Sequence, residues 1–249
     1  MGVVAGLAFD AIASAYDALW TRSAVGQVQR AAVWRRVDAL VKPGDTILDL
    51  GCGTGEDALH LTALGAVVQG IDASAEMVRM ARARGVNAQH LAIESLAEMQ
   101  GRFDGALSNF GALNCVRDLK SAALGLGRLI KPGGVLAICV MGSCCAWELS
   151  YFLLRRETRK AFRRRLREGN LSSLGVQVTY PSIRQLRRVF HPHFRLAGVH
   201  GIGLCVPPSY IDKLSETTLA RLGRIDARIA GWPVLRALSD HQLLLFKRL

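Results

Sequence analysis

"ILDLGCGTGEDAL", Ile47 to Leu59, constrains this chain more than any other stretch. An apolar run ends on Asp49, and glycines follow at every second position: Gly51, Gly53 and Gly55. Residues without a Cβ allow a buried strand to turn sharply into a helix, bring bare backbone close to a ligand, and leave the helix-start N–H groups free. The stretch therefore predicts a strand–loop–helix of the mononucleotide-binding kind. A phosphate is a poor ligand for it. No Lys-Ser/Thr pair closes the loop as in a phosphate loop, and Asp49 repels an anion while suiting an ammonium or sulfonium group.

Asp72 adds a second constraint. It ends the next apolar run, "AVVQGID", at the distance from the loop where an acid takes both hydroxyls of a ribose. A ribose, a cationic part and no phosphate to neutralise describe S-adenosylmethionine; a nicotinamide dinucleotide meets the ribose condition alone. A purely structural glycine turn with an incidental Asp is the competing reading.

The rest of the chain has room for such a fold. Its 249 residues suit one α/β domain, half are hydrophobic, and neither an internal repeat nor a low-complexity linker interrupts them. Helical spacing from about Phe9 to Leu40, broken near Thr21–Gly26, predicts an N-terminal helical cover over 1–42. Short strands then alternate with helices over 43–141: "TILDLG", "AVVQGID", a weaker strand around Val86–Ile93, "FDGALSNF", and a strand after the Lys131-Pro132-Gly133-Gly134 turn. Ser74 is placed to cap the second core helix and Gly85 to stop it. This alternation implies a parallel sheet with right-handed crossovers. A basic helical insertion over 142–175 follows, then two strands over 176–249, "FRLAGVHGIGL" and "HQLLLFKRL", separated by a helical cap over 209–238. The expected fold class is a Rossmann-like α/β domain with a seven-stranded, mostly parallel sheet whose last strand is antiparallel.

"ILDLGCGTG", "GIDASAEMVRMAR", "FDGALSNFGAL" and "LIKPGGVLAI", in this order and spacing, resemble the motifs of class I S-adenosylmethionine-dependent methyltransferases. Within them the chain is similar to the small-molecule group that includes the ubiquinone/menaquinone-biosynthesis C-methyltransferases (methyltransferase type 11). The resemblance covers Phe9 to Met141 and the final strand. It implies that Gly51, Gly53 and Gly55 pass under the amino-acid tail and ribose of the cofactor, with Asp49 facing the ammonium group directly or through water. It also implies that Asp72 holds the ribose hydroxyls and that Ala73, Met77 and Ile93 lie against adenine. Asn109 and Phe110 fall beside the methionyl part, and Tyr16 closes over the cofactor. The family's adenine-binding acid would align at Ala92; Glu94, two residues on, stands in for it or caps a turn. The implied product is S-adenosylhomocysteine, and no metal is expected.

The implied reaction is an in-line displacement on the donor methyl, served by positioning and desolvation. It needs a general base only where the acceptor has a proton to lose. No His-Asp or paired-Glu arrangement supplies one, so no catalytic residue is assigned. His191, His193 and His200 read as surface or core residues. Tyr16, Asn114, Tyr180 and Tyr210 are the pocket candidates. Ser108-Asn109-Phe110-Gly111 lacks the proline pair of exocyclic-amine DNA methyltransferases, and Cys115 follows Asn114 rather than the proline of the cytosine-carbon enzymes. The six scattered cysteines read as buried free thiols of a cytoplasmic protein. The N-terminus does not read as a signal peptide, and no apolar run is long enough for a membrane span.

The net charge of +12 is concentrated: twelve Arg and Lys residues between Arg155 and Arg195 face only Glu157 and Glu168. In "WELSYFLLRRETRKAFRRRLREG", Trp147, Tyr151, Leu154, Thr158, Phe162 and Leu166 recur at helical spacing, predicting one amphipathic helix over about 147–168 with a basic outer face. A solvated face, peripheral contact with an anionic membrane or lipid-like substrate, and a polyanion such as RNA all fit that pattern. The functional expectation is methyl transfer to oxygen, carbon or nitrogen of a small or lipid-like molecule. An RNA-modifying methyltransferase and a non-catalytic S-adenosylmethionine-binding partner protein are the alternatives.

Overall fold

The computed structural model describes residues 2–166, 169–211 and 214–249, with side chains from Ala5 onward. The N-terminal cover is α1 (Gly2–Asp10), α2 (Ala13–Tyr16), a π turn over Asp17–Thr21, and α3 (Ala24–Val37). The core follows as β1 (Thr46–Leu50), α4 (Glu56–Ala63), β2 (Val67–Asp72), α5 (Ala75–Ala83), β3 (Asn87–His90), β4 (Phe103–Ser108), α6 (Leu119–Leu129) and β5 (Ile130–Met141). Beyond it lie α7 (Ala146–Leu154), α8 (Thr158–Ala161), a small hairpin of β6 (Asn170–Leu171) and β7 (Gln177–Val178), α9 (Ile183–Phe190) and β8 (Phe194–Ile202). The described chain ends with α10 (Glu216–Ile229), α11 (Pro233–Ala237) and β9 (His241–Arg248).

Seven strands form one sheet in the order β3-β2-β1-β4-β5-β9-β8. β1 to β5 run parallel, and β9 lies antiparallel between β5 and β8. Strands this apolar need cover on both faces. Leu126, Leu186 and Phe190 of α6 and α9 bury one face, while Val33, Leu61 and Val78 of α3, α4 and α5 bury the other. The strand order reverses between β1 and β4, so a crevice opens at their carboxyl ends, where ligands bind in open α/β sheets.

Several boundaries follow local chemistry. The Ser74 side chain accepts from Met77 N and starts α5; Gly85, at φ +87°, ends it. The third strand is shorter than its pattern suggests: β3 stops at His90, and Ile93 opens a 3-10 segment, Ile93–Glu98. The predicted 131–134 turn lies inside the paired run of β5 and appears as a register shift against β4.

The basic segment departs most from its pattern. The expected long helix is broken into α7, α8 and a 3-10 turn, Arg163–Arg165, and its last two expected positions, Arg167 and Glu168, lie outside the described residues. Leu154 is 86% exposed, while Glu148, Phe152, Ala161 and Arg164 are buried. The inversion has an electrostatic cause. Arg164 donates to Glu148 Oε2 at 2.9 Å and to Asp240 Oδ1 at 2.6 Å, and Arg163 pairs with the other oxygen of Glu148. Two buried carboxylates demand buried cations, and that demand overrides the apolar period.

Candidate cofactor and acceptor site

The glycine loop is anchored from below: Gly51 N and Cys52 N donate to Ile71 O at 2.8 and 2.9 Å. Gly51, Gly53 and Gly55 all have positive φ, at 70°, 53° and 87°, which a side-chain-bearing residue adopts only with strain. Gly53 N donates to Asp72 Oδ2 at 2.9 Å, and Ser74 N to Asp72 Oδ1 at 2.8 Å. One carboxylate thus ties the loop to the start of α5 and keeps lone pairs for further donors.

A cavity of about 280 Å³ opens over this loop. Ten of the sequence-predicted residues line it: Tyr16, Gly51, Gly53, Asp72, Ala73, Met77, Ile93, Glu94, Asn109 and Phe110. Gly55 does not. It precedes α4, and a Cβ there would meet Val86 at 2.8 Å, so close packing holds that position. Asp49 sits behind the loop, 1% exposed, with Oδ2 unpartnered. Burial, followed by repulsion from Asp57, pushes its carboxyl well above the usual range, although Arg30 and a hydrogen bond from the backbone of Ala58 oppose this. Burial likewise raises Asp72 against its two backbone donors, and it pushes the Tyr16 hydroxyl up to about 12.

Three pocket candidates stand elsewhere. Asn114 is a clip rather than a cavity wall: its amide donates to Met141 O at 3.1 Å and Thr179 O at 2.6 Å, and its Oδ1 accepts from Met141 N at 2.9 Å. Tyr180 lies under the Arg164 guanidinium at 5.5 Å. Tyr210 donates to Glu148 at 3.1 Å beside Tyr151 and Phe152. His191, His193 and His200 are not among the cavity's lining residues.

Several lining residues escaped the sequence reading: Ala5, Gly6 and Phe9 of α1, Cys115 and Val116, Met141 at the end of β5, and Ser172, Ser173, Leu174, Val176 and Val178 of the small hairpin. The hairpin left a short signal, the alternation of Val176, Val178 and Tyr180 with Gln177 and Thr179, which was too brief to stand out beside the basic segment. The α1 contact left a trace in Asp10 and Asp17, two acids in an otherwise apolar segment. Asp10 Oδ1 accepts from Ser74 Oγ at 2.6 Å and Glu76 N at 3.0 Å, and Asp17 Oδ1 accepts from Thr54 Oγ1 at 2.6 Å. Both latch the cover onto the site.

A buried polar group braces the β4 side. Asp57 pairs with Arg30 and accepts from Trp34 Nε1 at 2.7 Å and from Asn109 Nδ2 at 3.1 Å. The Arg30 guanidinium lies 5.2 Å from the Phe110 ring, which also meets Trp20 and His241 edge-on. Phe110 holds φ +44°, a conformation that is uncommon outside glycine and persists only where neighbours fix it.

Residues 47–134 match the family model described as a methyltransferase domain. That match spans the glycine loop, Asp72 and Phe110. Over those residues the chain is similar to methyltransferase domains. It is 33% identical over 133 residues to a demethylmenaquinone methyltransferase of Corynebacterium kroppenstedtii, covering 53% of this chain and 57% of that protein. The chain thus matches little more than half the length of that relative. The fold extends further. An S-adenosylmethionine-dependent methyltransferase from Mesorhizobium loti superposes with TM-score 0.61 at 20% identity over 89% of this chain and 100% of that one. The [4+2]-cyclase SpnF superposes with TM-score 0.64 at 18% identity over 100% of this chain and 96% of its own.

The cavity residues fit the cofactor of such a domain. The space a Cβ at Gly53 would enter is free of protein atoms within 4 Å, and Asp49, behind the loop and outside the cavity wall, keeps a buried Oδ2 without a hydrogen-bond partner.

Proposed function

We propose that this protein transfers the methyl group of S-adenosylmethionine to an apolar, lipid-like small molecule. The carrying observation is the division of the cavity wall. Asp72 and Asn109 at the ends of β2 and β4 and Glu94 after β3 give polar groups, while Phe9, Val116, Met141, Leu174, Val176 and Val178, with Ser172 and Ser173 beside them, give a wall without charge. Small-molecule sites combine such apolar linings with a few placed polar groups. The name of the Corynebacterium relative, which makes a demethylmenaquinone its acceptor, supports the same class.

When bound, the donor supplies a methyl on a positive sulfur, open to in-line attack. In this reading Asp72 accepts from the ribose hydroxyls with the lone pairs that Gly53 and Ser74 leave free. Asp49 faces the ammonium end, and Glu94 accepts from the adenine amino group beside Ile93 and Met77. Gly51 and Gly53 let the backbone approach the tail. Phe110 and Tyr16 exclude water and hold the reacting groups in line, where position alone lowers a barrier greatly. The lining also limits the acceptor. Burial keeps the Tyr16 hydroxyl and the Cys115 thiol protonated, near 12 and 11. Neither takes a proton at neutral pH, which supports an acceptor that is already nucleophilic or acidic enough to ionise itself.

Incubating purified protein with methyl-labelled S-adenosylmethionine and a cell extract tests the reading. Label is expected in the lipid-soluble fraction. Label in RNA would overturn the acceptor class, and label nowhere would overturn methyl transfer.

A further inference from the structure

We propose that the surface formed by the end of α7, by α8 and by the turn after it docks on an anionic lipid membrane. Arg163 and Arg164 turn inward to Glu148 and Asp240 beside the buried Phe152 and Ala161, and Leu153, Leu154, Phe162 and Leu166 are left outside. Leu154 is 86% exposed, Leu166 51% and Phe162 42%. Single exposed leucines are ordinary; these alternate with exposed cations along one short run, in two helices packed together. Arg155 and Lys160 share Glu157, whereas Arg156 and Arg159 meet no carboxylate among the described residues. Arg156 also holds φ +59° just past the end of α7, the position where glycine is the unstrained residue. A cation stands there against the backbone's preference.

The chemistry selects the partner. Aliphatic side chains neither stack on bases nor bond to phosphates, so Leu154 and Leu166 add nothing on a nucleic acid. At a membrane interface the apolar groups enter the acyl boundary while the arginines meet anionic headgroups. The hairpin that follows leads to the cavity. Leu171 is 65% exposed, and the next residues, Ser172 to Leu174, line the cavity. A docked surface therefore sets the cavity's hairpin wall against the lipid, where an apolar acceptor dissolves. This delivery step rests on the apolar-acceptor reading; docking itself does not.

Flotation of the full chain on vesicles tests the docking, with phosphatidylcholine vesicles compared with phosphatidylcholine–phosphatidylglycerol vesicles. Flotation is expected with the anionic vesicles and weakly, if at all, with the others. The Leu154→Ser/Phe162→Ser and Arg156→Gln/Arg159→Gln pairs should each weaken it by about tenfold or more, with S-adenosylmethionine affinity unchanged by calorimetry as the control for folding. Absence of flotation on anionic vesicles would overturn the proposal. So would flotation indifferent to the Leu154/Phe162 pair and competed away by RNA, which would make the surface a polyanion site. Label transfer to lipid in detergent solution reads the acceptor class separately, so either proposal can fail alone.

Discussion

Asp17, in the N-terminal cover, accepts the hydroxyl of Thr54, in the glycine loop, at 2.6 Å. The cover is therefore fastened to the loop it closes, and Arg84 reinforces the contact 3.6 Å from Asp17. Replacing Asp17 with Ala removes a charge-assisted hydrogen bond worth roughly 1.5–3 kcal/mol. Because the bond joins the cover rather than the core, most of the loss should appear as weaker cofactor binding, about tenfold, with little change in thermal stability. Calorimetry with S-adenosylmethionine reads this. An unchanged affinity would mean that the cover does not participate in binding.

Gly51 and Gly53 separate packing from ligand space. A Cβ at Gly51 would meet the Ala112 Cβ at 2.4 Å, whereas one at Gly53 meets nothing within 4 Å. Gly51→Ala should therefore destabilise the protein by about 1–3 kcal/mol through overpacking and backbone strain. Gly53→Ala, which meets the backbone strain without the overlap, should fold with a smaller loss yet bind cofactor at least about tenfold more weakly, because its Cβ enters the cavity. Denaturant titration and calorimetry on the same two variants decide it, and equal behaviour of the two would contradict the geometry.

Asp57 is the partner of a buried arginine, with side-chain exposures of 7% for Arg30 and 10% for Asp57. Breaking such a pair by removing one member costs about 3–5 kcal/mol, because a buried charge is left uncompensated. Asp57→Ala should lower Tm by roughly 10 °C at this size. Arg79→Ala, which breaks the exposed Arg79–Glu76 pair, should shift it by less than about 2 °C. Comparable shifts would show that the β4 brace contributes no more than a surface ion pair.

Asp49 gives a pH dependence with a definite sign. Its carboxyl is raised in the folded protein, so the native state binds more protons than the unfolded state above the ordinary carboxylate range. Stability without cofactor should then fall as pH rises from that range through the raised value, and level off above it. Asp49→Asn should flatten the slope, raise Tm at neutral pH, and weaken S-adenosylmethionine binding by removing the charge that meets the ammonium group. Binding to the wild type should release protons, visible as a buffer-dependent calorimetric enthalpy. A variant less stable at neutral pH would contradict this.

The core was legible because its signals are local. Alternating strands and helices, Ser74 at a helix start and the spacing from Gly51 to Asp72 each fix backbone over a few residues, and the sheet follows from crossover rules. The basic segment was not legible, because Glu148, Arg164 and Asp240 are joined across a sequence separation that no helical period reports. The same holds for Asn114, whose partners Met141 and Thr179 turn it from a pocket candidate into a clip. Asp57 offered a fainter signal, a carboxylate in the first helical turn after the glycine loop. Only the fold revealed its partners Arg30 and Asn109.

The most direct test of the account is equilibrium binding of S-adenosylmethionine to the wild-type protein and to Asp72→Ala, measured by calorimetry. Circular dichroism and Tm would confirm that the variant is folded. Hydrogen bonds to a charged group are worth about 1.5–3 kcal/mol each, so the account predicts saturable one-site binding to the wild type and affinity at least about tenfold lower in the variant. Absence of binding to the wild type, or equal affinity in a folded Asp72→Ala, would contradict it.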